Sequence, residues 1–288
     1  MNLFGGIFTM DIVILILLIL LGLLVFLFAL NVVLVMPSRK LREQRDLFFH
    51  VNFAHRGLHS RDKSIPENSL SAFKAAVEAG YGIELDLQFS KDEQIVVFHD
   101  DTLNRVCGVD GRVDAYTLSE LREMHLCGTD ERIPLFSEVL ELVGGKVPLL
   151  VEFKNGPKND LLCEKTLPML RAYKGDFCIE SFTPFIVKWF KKNAPDILRG
   201  QLSAPAKEFK GELQPFAAFM LSHCYTNVLC RPHFISYHKE KNYLSVRLAD
   251  RLGAMRFVWT VRPSDDIRAL ERKNDAVIFE FYTPGLKY

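Results

Sequence analysis

Short apolar stretches alternate with amphipathic ones along this chain. That pattern predicts an α/β fold: a closed (β/α)₈ TIM barrel preceded by one N-terminal transmembrane helix. Three observations carry the expectation. About eight strand–helix units follow one another over residues 51–288, the length such a barrel needs. Carboxylates and histidines stand at or just beyond the carboxyl ends of the expected strands, where barrels gather their chemistry. Residues 12–36 are apolar apart from Gly22 and Asn31, which exceeds the ~20 residues that span a bilayer as a helix. A doubly wound open sheet would also alternate, but no Gly-x-Gly-x-x-Gly turn accompanies this one.

Taken in order, residues 1–11 are a short N-terminal segment without Lys or Arg, and residues 12–36 are the transmembrane helix. A secretory signal would want a basic start, a shorter apolar core and an Ala-x-Ala site, and none is present. A buried core helix of this length would carry a polar stripe. Residues 37–50 form a basic juxtamembrane linker, with Arg39, Lys40, Arg42 and Arg45 against Glu43 and Asp46. Basic residues remain on the cytoplasmic side, so the amino terminus is expected outside and the domain at 51–288 in the cytoplasm.

Within that domain, residues 51–55 read as a strand. Residues 69–79 read as an Ala-rich helix with Asn68 as its cap and Gly80 as its stop. Strands are expected at 82–89 and 94–99. A helix at 117–125 is capped by Thr117, with Glu120 completing a capping box. A helix at 136–143, with Ser137 near its start, ends in Gly144-Gly145. From there strands at 147–153, 177–180, 197–202, 234–237, 257–261 and 276–281 alternate with helices at 160–173, 184–193, 212–221, 239–252 and 264–273.

The net charge is +1, so no basic face recommends nucleic acid as a partner. Six cysteines stand at 107, 127, 163, 178, 224 and 230, without the spacing of a disulfide framework. His223-Cys224 and Cys230-x-x-His233 fit no standard zinc-finger spacing.

The stretch 53–100 concentrates the chemistry. Residues two apart on a strand point the same way, so Glu84 and Asp86 project together while Ile83, Leu85 and Leu87 face the other side. Two carboxylates side by side repel, and burying them requires a proton or a cation. A hard divalent ion with oxygen ligands is the natural partner. His55 and His99 titrate near neutral pH, as acid–base catalysis requires. The remaining histidines, at 50, 59, 125, 223, 233 and 238, lack such neighbours and read as structural or surface residues.

At these positions the chain resembles the glycerophosphodiester phosphodiesterase family. The likeness rests on His55-Arg56-Gly57, Glu67-Asn68, Glu84-x-Asp86 and His99-Asp100, in that order. It continues through Ile133-Pro134, Val151-Glu152-Phe153-Lys154, Ser181-Phe182 and Trp259-Thr260, covering residues 50–285. The family is known for a barrel of this type.

The resemblance implies Glu84, Asp86 and Glu152 as ligands of one divalent cation, Ca²⁺ or Mg²⁺; a carboxylate set argues against Zn²⁺. Glu152 could instead pair with Lys154, two residues on. His55 and His99 would be the general acid and base. Arg56 can fork onto a phosphodiester or form a salt bridge to Glu67, and the family pattern places both at the metal and phosphate. Lys154 would add positive charge there, and Trp259 either packs in the barrel or lines a glycerol pocket.

The implied reaction is hydrolysis of a glycerophosphodiester to sn-glycerol 3-phosphate and an alcohol such as choline or ethanolamine, through a cyclic phosphate. A lysophospholipase D acting on membrane lysolipids is the nearest rival, and an inactive membrane-tethered binding module is another. Near the carboxyl terminus Phe279 and Glu280 stand where family members often carry a small polar residue and an Asp, which bears on substrate shape and not on the metal site.

Overall fold

Eight parallel strands close on themselves in the computed structural model, which describes residues 3–240 and 243–285. With one further strand, the described residues form β1 (Val51–Ala54), β2 (Gly82–Phe89), β3 (Ile95–Val97), β4 (Leu149–Phe153), β5 (Phe177–Ser181), β6 (Arg199–Ser203), β7 (Phe234–His238), β8 (Met255–Val261) and β9 (Ala276–Phe279). The order β1-β9-β8-β7-β6-β5-β4-β2, with β1 pairing β2, makes the barrel. The expected (β/α)₈ architecture is therefore the observed one.

β3 is not a stave. It pairs antiparallel with β2, Leu87 opposite Val97. Residues 90–94 are too few for a crossover, so only a hairpin return is open to the chain. Between β3 and β4 the connection builds a small core of its own from Phe98, Leu103, Val106, Val113, Leu121, Leu126 and Ile133.

The helices match the expected ones with ends trimmed or shifted by a residue: Leu118–Arg122, Asn159–Ala172, Pro215–Ser222, Leu244–Arg251 and Ile267–Lys273. Residues 241–242 of the expected helix at 239–252, and residues 286–288, lie outside the described residues. Thr117 and Glu120 form the anticipated capping box. One cap differs. Ser69, not Asn68, caps the helix Leu70–Ala79 by accepting from the Ala72 N–H, which releases the Asn68 side chain for another task.

Ile83, Leu85 and Leu87 pack outward against the helices, beside Phe73 and Phe136. The amino-terminal end of the barrel is filled by Phe53, Leu150, Phe234, Phe257 and Ile278. Gly200 on β6 is obligatory there, because a Cβ would sit 2.0 Å from the Phe234 ring. Phe48 of the linker stacks on Phe53 and joins the same cluster.

The apolar N-terminal segment is one helix, Leu3–Val35, so the residues expected to precede the span are helical from Leu3 on, while residues 1–2 lie outside the described residues. Its stretch Ile12–Val35 is long and apolar enough to cross a membrane, with a mean hydropathy of 3.5. Among its described residues, those near its end touch the barrel. Asn31 Nδ2 lies 3.3 Å from the Tyr225 hydroxyl, Asn227 donates to the Val35 carbonyl (3.1 Å), and Arg231 donates to those of Val33 (2.8 Å) and Met36 (2.9 Å). Two of the linker cations also serve the fold: Arg39 donates to the Leu252 carbonyl (2.7 Å) and Arg45 to that of Gly253 (2.9 Å).

Candidate active site

β1 delivers His55, and the two residues after it turn sharply. Arg56 has φ 55° and Gly57 φ 81°, both left-handed. At Gly57 a Cβ would lie 2.9 Å from both the carbonyl carbon and the Cβ of Ala72, so only glycine fits. The turn aims the Arg56 N–H at Glu84 Oε2, 2.8 Å away. Asn68, also left-handed at φ 53°, donates its amide to Asp86 Oδ2 at 2.8 Å.

Glu84 and Asp86 on β2 and Glu152 on β4 are all buried, and each offers a carboxylate oxygen within 4.8 Å of the others'. The register that sets Asp86 beside Glu152 brings them together. Burial, together with the charges of Asp86 and Glu152, pushes the Glu84 carboxyl well above its ordinary value. Burial also raises Glu152, although Lys154 opposes it. For Asp86 burial acts upward too, but His99, Lys154, Arg56 and the Asn68 amide prevail and hold it low.

Asp86 Oδ1 is buried without a hydrogen bond. A buried carboxylate oxygen that has no hydrogen bond and only Lys154 Nζ at 3.5 Å, amid a set that would otherwise hold protons, is the arrangement that a divalent cation with oxygen ligands relieves. The donors present fit such an ion.

Lys154 Nζ lies 2.8 Å from Glu152 and 3.5 Å from Asp86, and Arg56 pairs with Glu67 at 2.7 Å. Both pairings weighed from the sequence are thus formed, at the edge of the carboxylate set. Arg105 grips Glu67 and Asp100 together, each pair at 2.6–2.7 Å.

Each of the two histidines is held by a carboxylate. His55 Nδ1 is 2.7 Å from Glu280 Oε1, and His99 Nδ1 is 2.7 Å from Asp100 Oδ1. A carboxylate only accepts, so both Nδ1 atoms carry the proton and both Nε2 atoms are free to exchange one. Burial and the Arg56 charge lower His55 to about 4, against the pull of Glu280. The imidazole is therefore neutral near pH 7. Glu280 itself is kept ionised by His55 and Arg262, despite its burial.

His55, Arg56, Glu67, Glu84, His99, Glu152 and Trp259 line one cavity of about 470 Å³ at the carboxyl ends of the strands. Asp86 and Lys154 adjoin its lining residues, Asp86 within 4.8 Å of Glu84 and Glu152 and Lys154 2.8 Å from Glu152. Trp259 also packs, edge-on to Phe182, and donates to the Ser236 carbonyl at 3.1 Å, so it is both a packing residue of the barrel and part of the cavity wall.

Several lining residues escaped the sequence reading. His59, read as structural or surface, is on the wall with its Nε2 3.6 Å from Glu280. Glu180 lies beside Glu152 in register, and burial raises it well above the usual range. Arg105 and Arg262 tether the two histidine-bound carboxylates. The His99-Asp100 dipeptide was a usable signal for the first pair; nothing local ties Glu280 to His55. Nor do His223, Cys224, Cys230 and His233 form a metal site: among the described residues, the one cluster able to hold an ion is Glu84, Asp86 and Glu152. All six cysteines are free thiols.

Comparison with known proteins points in one direction. Residues 55–283 match the model of the "Glycerophosphoryl diester phosphodiesterase family". A glycerophosphodiester phosphodiesterase of Caldanaerobacter subterraneus is 32% identical over 247 residues, 78% of this chain and 91% of that one. A lysophospholipase D of Rattus norvegicus is 32% identical over 170 residues, 53% of this chain and 51% of that one. Among solved structures, a phosphodiesterase of Oleispira antarctica in complex with the product sn-glycerol-3-phosphate shares the fold. Its TM-score is 0.64 and its identity 23%, over 82% of this chain and 94% of that one. A glycerophosphodiester phosphodiesterase of Thermotoga maritima gives a TM-score of 0.59 at 26% identity, over 80% and 93%.

Proposed function

Since the chain belongs to the glycerophosphoryl diester phosphodiesterase family, we propose that it hydrolyses glycerophosphodiesters to sn-glycerol 3-phosphate and an alcohol, with His55 and His99 moving the protons. The pair of carboxylate-held histidines on one cavity is the observation that carries this reading. Neutral imidazole with a free Nε2 takes a proton from the attacking hydroxyl, and its counterpart gives one to the departing alcohol. Opening of the cyclic phosphate by water reverses the two roles.

Glu84, Asp86 and Glu152 would hold one Ca²⁺ or Mg²⁺. Such an ion supplies Lewis-acid polarisation of the phosphate oxygens. Arg56 and Lys154 add fixed positive charge where the phosphate's negative charge grows, Glu67 orients Arg56, and Trp259 forms the apolar wall against which glycerol packs. Glu280 and Asp100 act through the histidines, as positioning residues.

The N-terminal helix would anchor the enzyme in a membrane, with the barrel on the cytoplasmic side as the basic linker suggests. Added protease should then leave the barrel of intact cells uncut.

Turnover of glycerophosphocholine, with and without EDTA, tests the reaction. His55→Ala and His99→Ala should each lower kcat by about 10²-fold or more, and the double variant should lose far less than the product of the two. Near-normal turnover in both single variants would refute the assignment. A substrate whose leaving group needs no proton should rescue only the variant lacking the acid, and so assigns the roles.

A further inference from the structure

Apolar side chains stand exposed in one sector of the barrel rim. Phe185 follows β5, Leu213, Phe216 and Phe219 follow β6, and Leu244 follows β7; Phe216 and Leu244 are 74% and 75% exposed. These connections all leave the carboxyl ends of their strands, the end that holds the cavity. Helix Pro215–Ser222 is apolar on every side: Ala218 and Leu221 are buried against the barrel while Phe216 and Phe219 face out. A helix that is apolar all round needs something apolar on its outer face.

The position of the N-terminal helix says what that is. Its contacts run backwards along the β6–β7 connection: Met36 and Val33 meet Arg231, Val35 meets Asn227, and Asn31 meets Tyr225. Moving from the end of that helix toward its start therefore leads from the closed end of the barrel toward the rim. Immediately before Asn31 the helix leaves the protein surface, with Leu30 already 42% and Phe28 63% exposed. If this helix spans a bilayer, lipid must begin close to Leu30, at the level of Tyr225. The Tyr225 ring touches Phe219 at 5.8 Å, and Phe219 lies on the rim side of it.

We infer that the rim sector formed by Phe185, Leu213, Phe216, Phe219 and Leu244 is a second membrane contact. It inserts into the bilayer that the N-terminal helix spans and turns the mouth of the cavity toward the lipid. The inference rests on the membrane-anchored reading above. A chain of packed apolar side chains connects this surface with the cavity wall: Ala218 and Leu221 pack on Phe209, Phe209 meets Phe182 at 6.0 Å, and Phe182 meets Trp259 at 5.6 Å. A glycerophosphodiester that bears an acyl chain would reach the site without leaving the lipid phase.

The test uses the full chain in phosphatidylcholine–phosphatidylglycerol vesicles whose acyl chains are brominated near the glycerol. Tryptophan is introduced by Phe216→Trp, or by Lys146→Trp at an exposed site before β4, on the opposite end of the barrel. Bromine should dim the added emission of Phe216→Trp by about half and leave that of Lys146→Trp unchanged. Dimming at Lys146→Trp, or at neither site, in protein that floats with the vesicles would overturn the inference. Failure to float would overturn the anchored reading itself, and the inference with it. Phe216→Asp with Phe219→Asp should slow turnover of vesicle-borne lysophosphatidylcholine tenfold or more relative to water-soluble glycerophosphocholine. Equal effects on the two substrates would count against the contact, whereas loss of the soluble reaction in unsubstituted protein would strike only at the proposed chemistry.

Discussion

Glu280 Oε1 lies 2.7 Å from Nδ1 of His55, joining the residue after the last strand to the residue after the first. The second oxygen of Glu280 is held by Arg262 at 2.8 Å. The carboxylate thus selects one tautomer of His55 and fixes the ring plane. Glu280→Gln keeps the size but can present a donor to Nδ1, allowing the wrong tautomer. kcat should fall by roughly 10²-fold or more with KM little changed, as when other catalytic histidines lose their carboxylate. Steady-state kinetics of the variant check this; unchanged kcat would show that Glu280 merely packs.

Removal of the cation should silence the enzyme. Asp86 is fully buried and carries an oxygen with no hydrogen bond. Asp86→Asn should weaken Ca²⁺ or Mg²⁺ binding at least tenfold by titration calorimetry. EDTA should abolish turnover of the unsubstituted protein until metal is restored. Full activity in chelator would exclude the carboxylates as ligands.

Gly57→Ala should damage both stability and chemistry. Left-handed φ costs a non-glycine residue about 1–2 kcal/mol, and the clash with the Ala72 backbone adds to that. Tm should fall by several degrees, and displacement of the Arg56 N–H from Glu84 should reduce activity. Gly108→Ala is the control: its φ is also positive, but nothing lies within 4 Å. The melting difference between the two variants measures the close approach alone.

Acid should destabilise the barrel through His233. Its side chain is fully buried before β7 and accepts a hydrogen bond from the Arg199 N–H. Burial, with the charges of Arg199, Arg45 and Lys40, lowers it to about 3 from an ordinary 6.5. The unfolded chain therefore binds the extra proton between these values, and stability must fall as pH drops from about 6.5 toward 3. Denaturant melts across that window should show a shallower slope for His233→Gln than for the unsubstituted protein.

The sequence made the barrel legible because periodicity and strand-end placement are local properties. Glu84 and Asp86 could be paired by counting residues on one strand. β3 was legible as a strand, but a short apolar run looks the same whether it is a stave or a hairpin return. The cap at Asn68 misled because Asn suits both a cap and a left-handed turn, and only the position of Asp86 decides between them. Glu280 reads as a departure from the family that bears on substrate shape; its pairing with His55 is not legible, because the two stand 225 residues apart. The exposure of the rim aromatics was not legible either: Phe216 and Phe219 stand in a helix that is apolar throughout, and only the fold shows which face it buries.

Closure of the barrel also carries a consequence for biosynthesis. β1 takes its hydrogen bonds from β2 and β9, pairing Val51 with Ala276 and Ala54 with Phe279. At ribosomal speeds the residues between β1 and β9 take roughly 10–45 s to emerge. Throughout that interval one edge of β1 has no partner, and His55 has no carboxylate. The nascent polypeptide is therefore both inert and adhesive while its first helix is already outside the ribosome. Linker residue Phe48, stacked on Phe53, shields part of that early surface before the final strand arrives. Translation itself acts as the delay that keeps phosphodiester cleavage from starting on an unfinished chain.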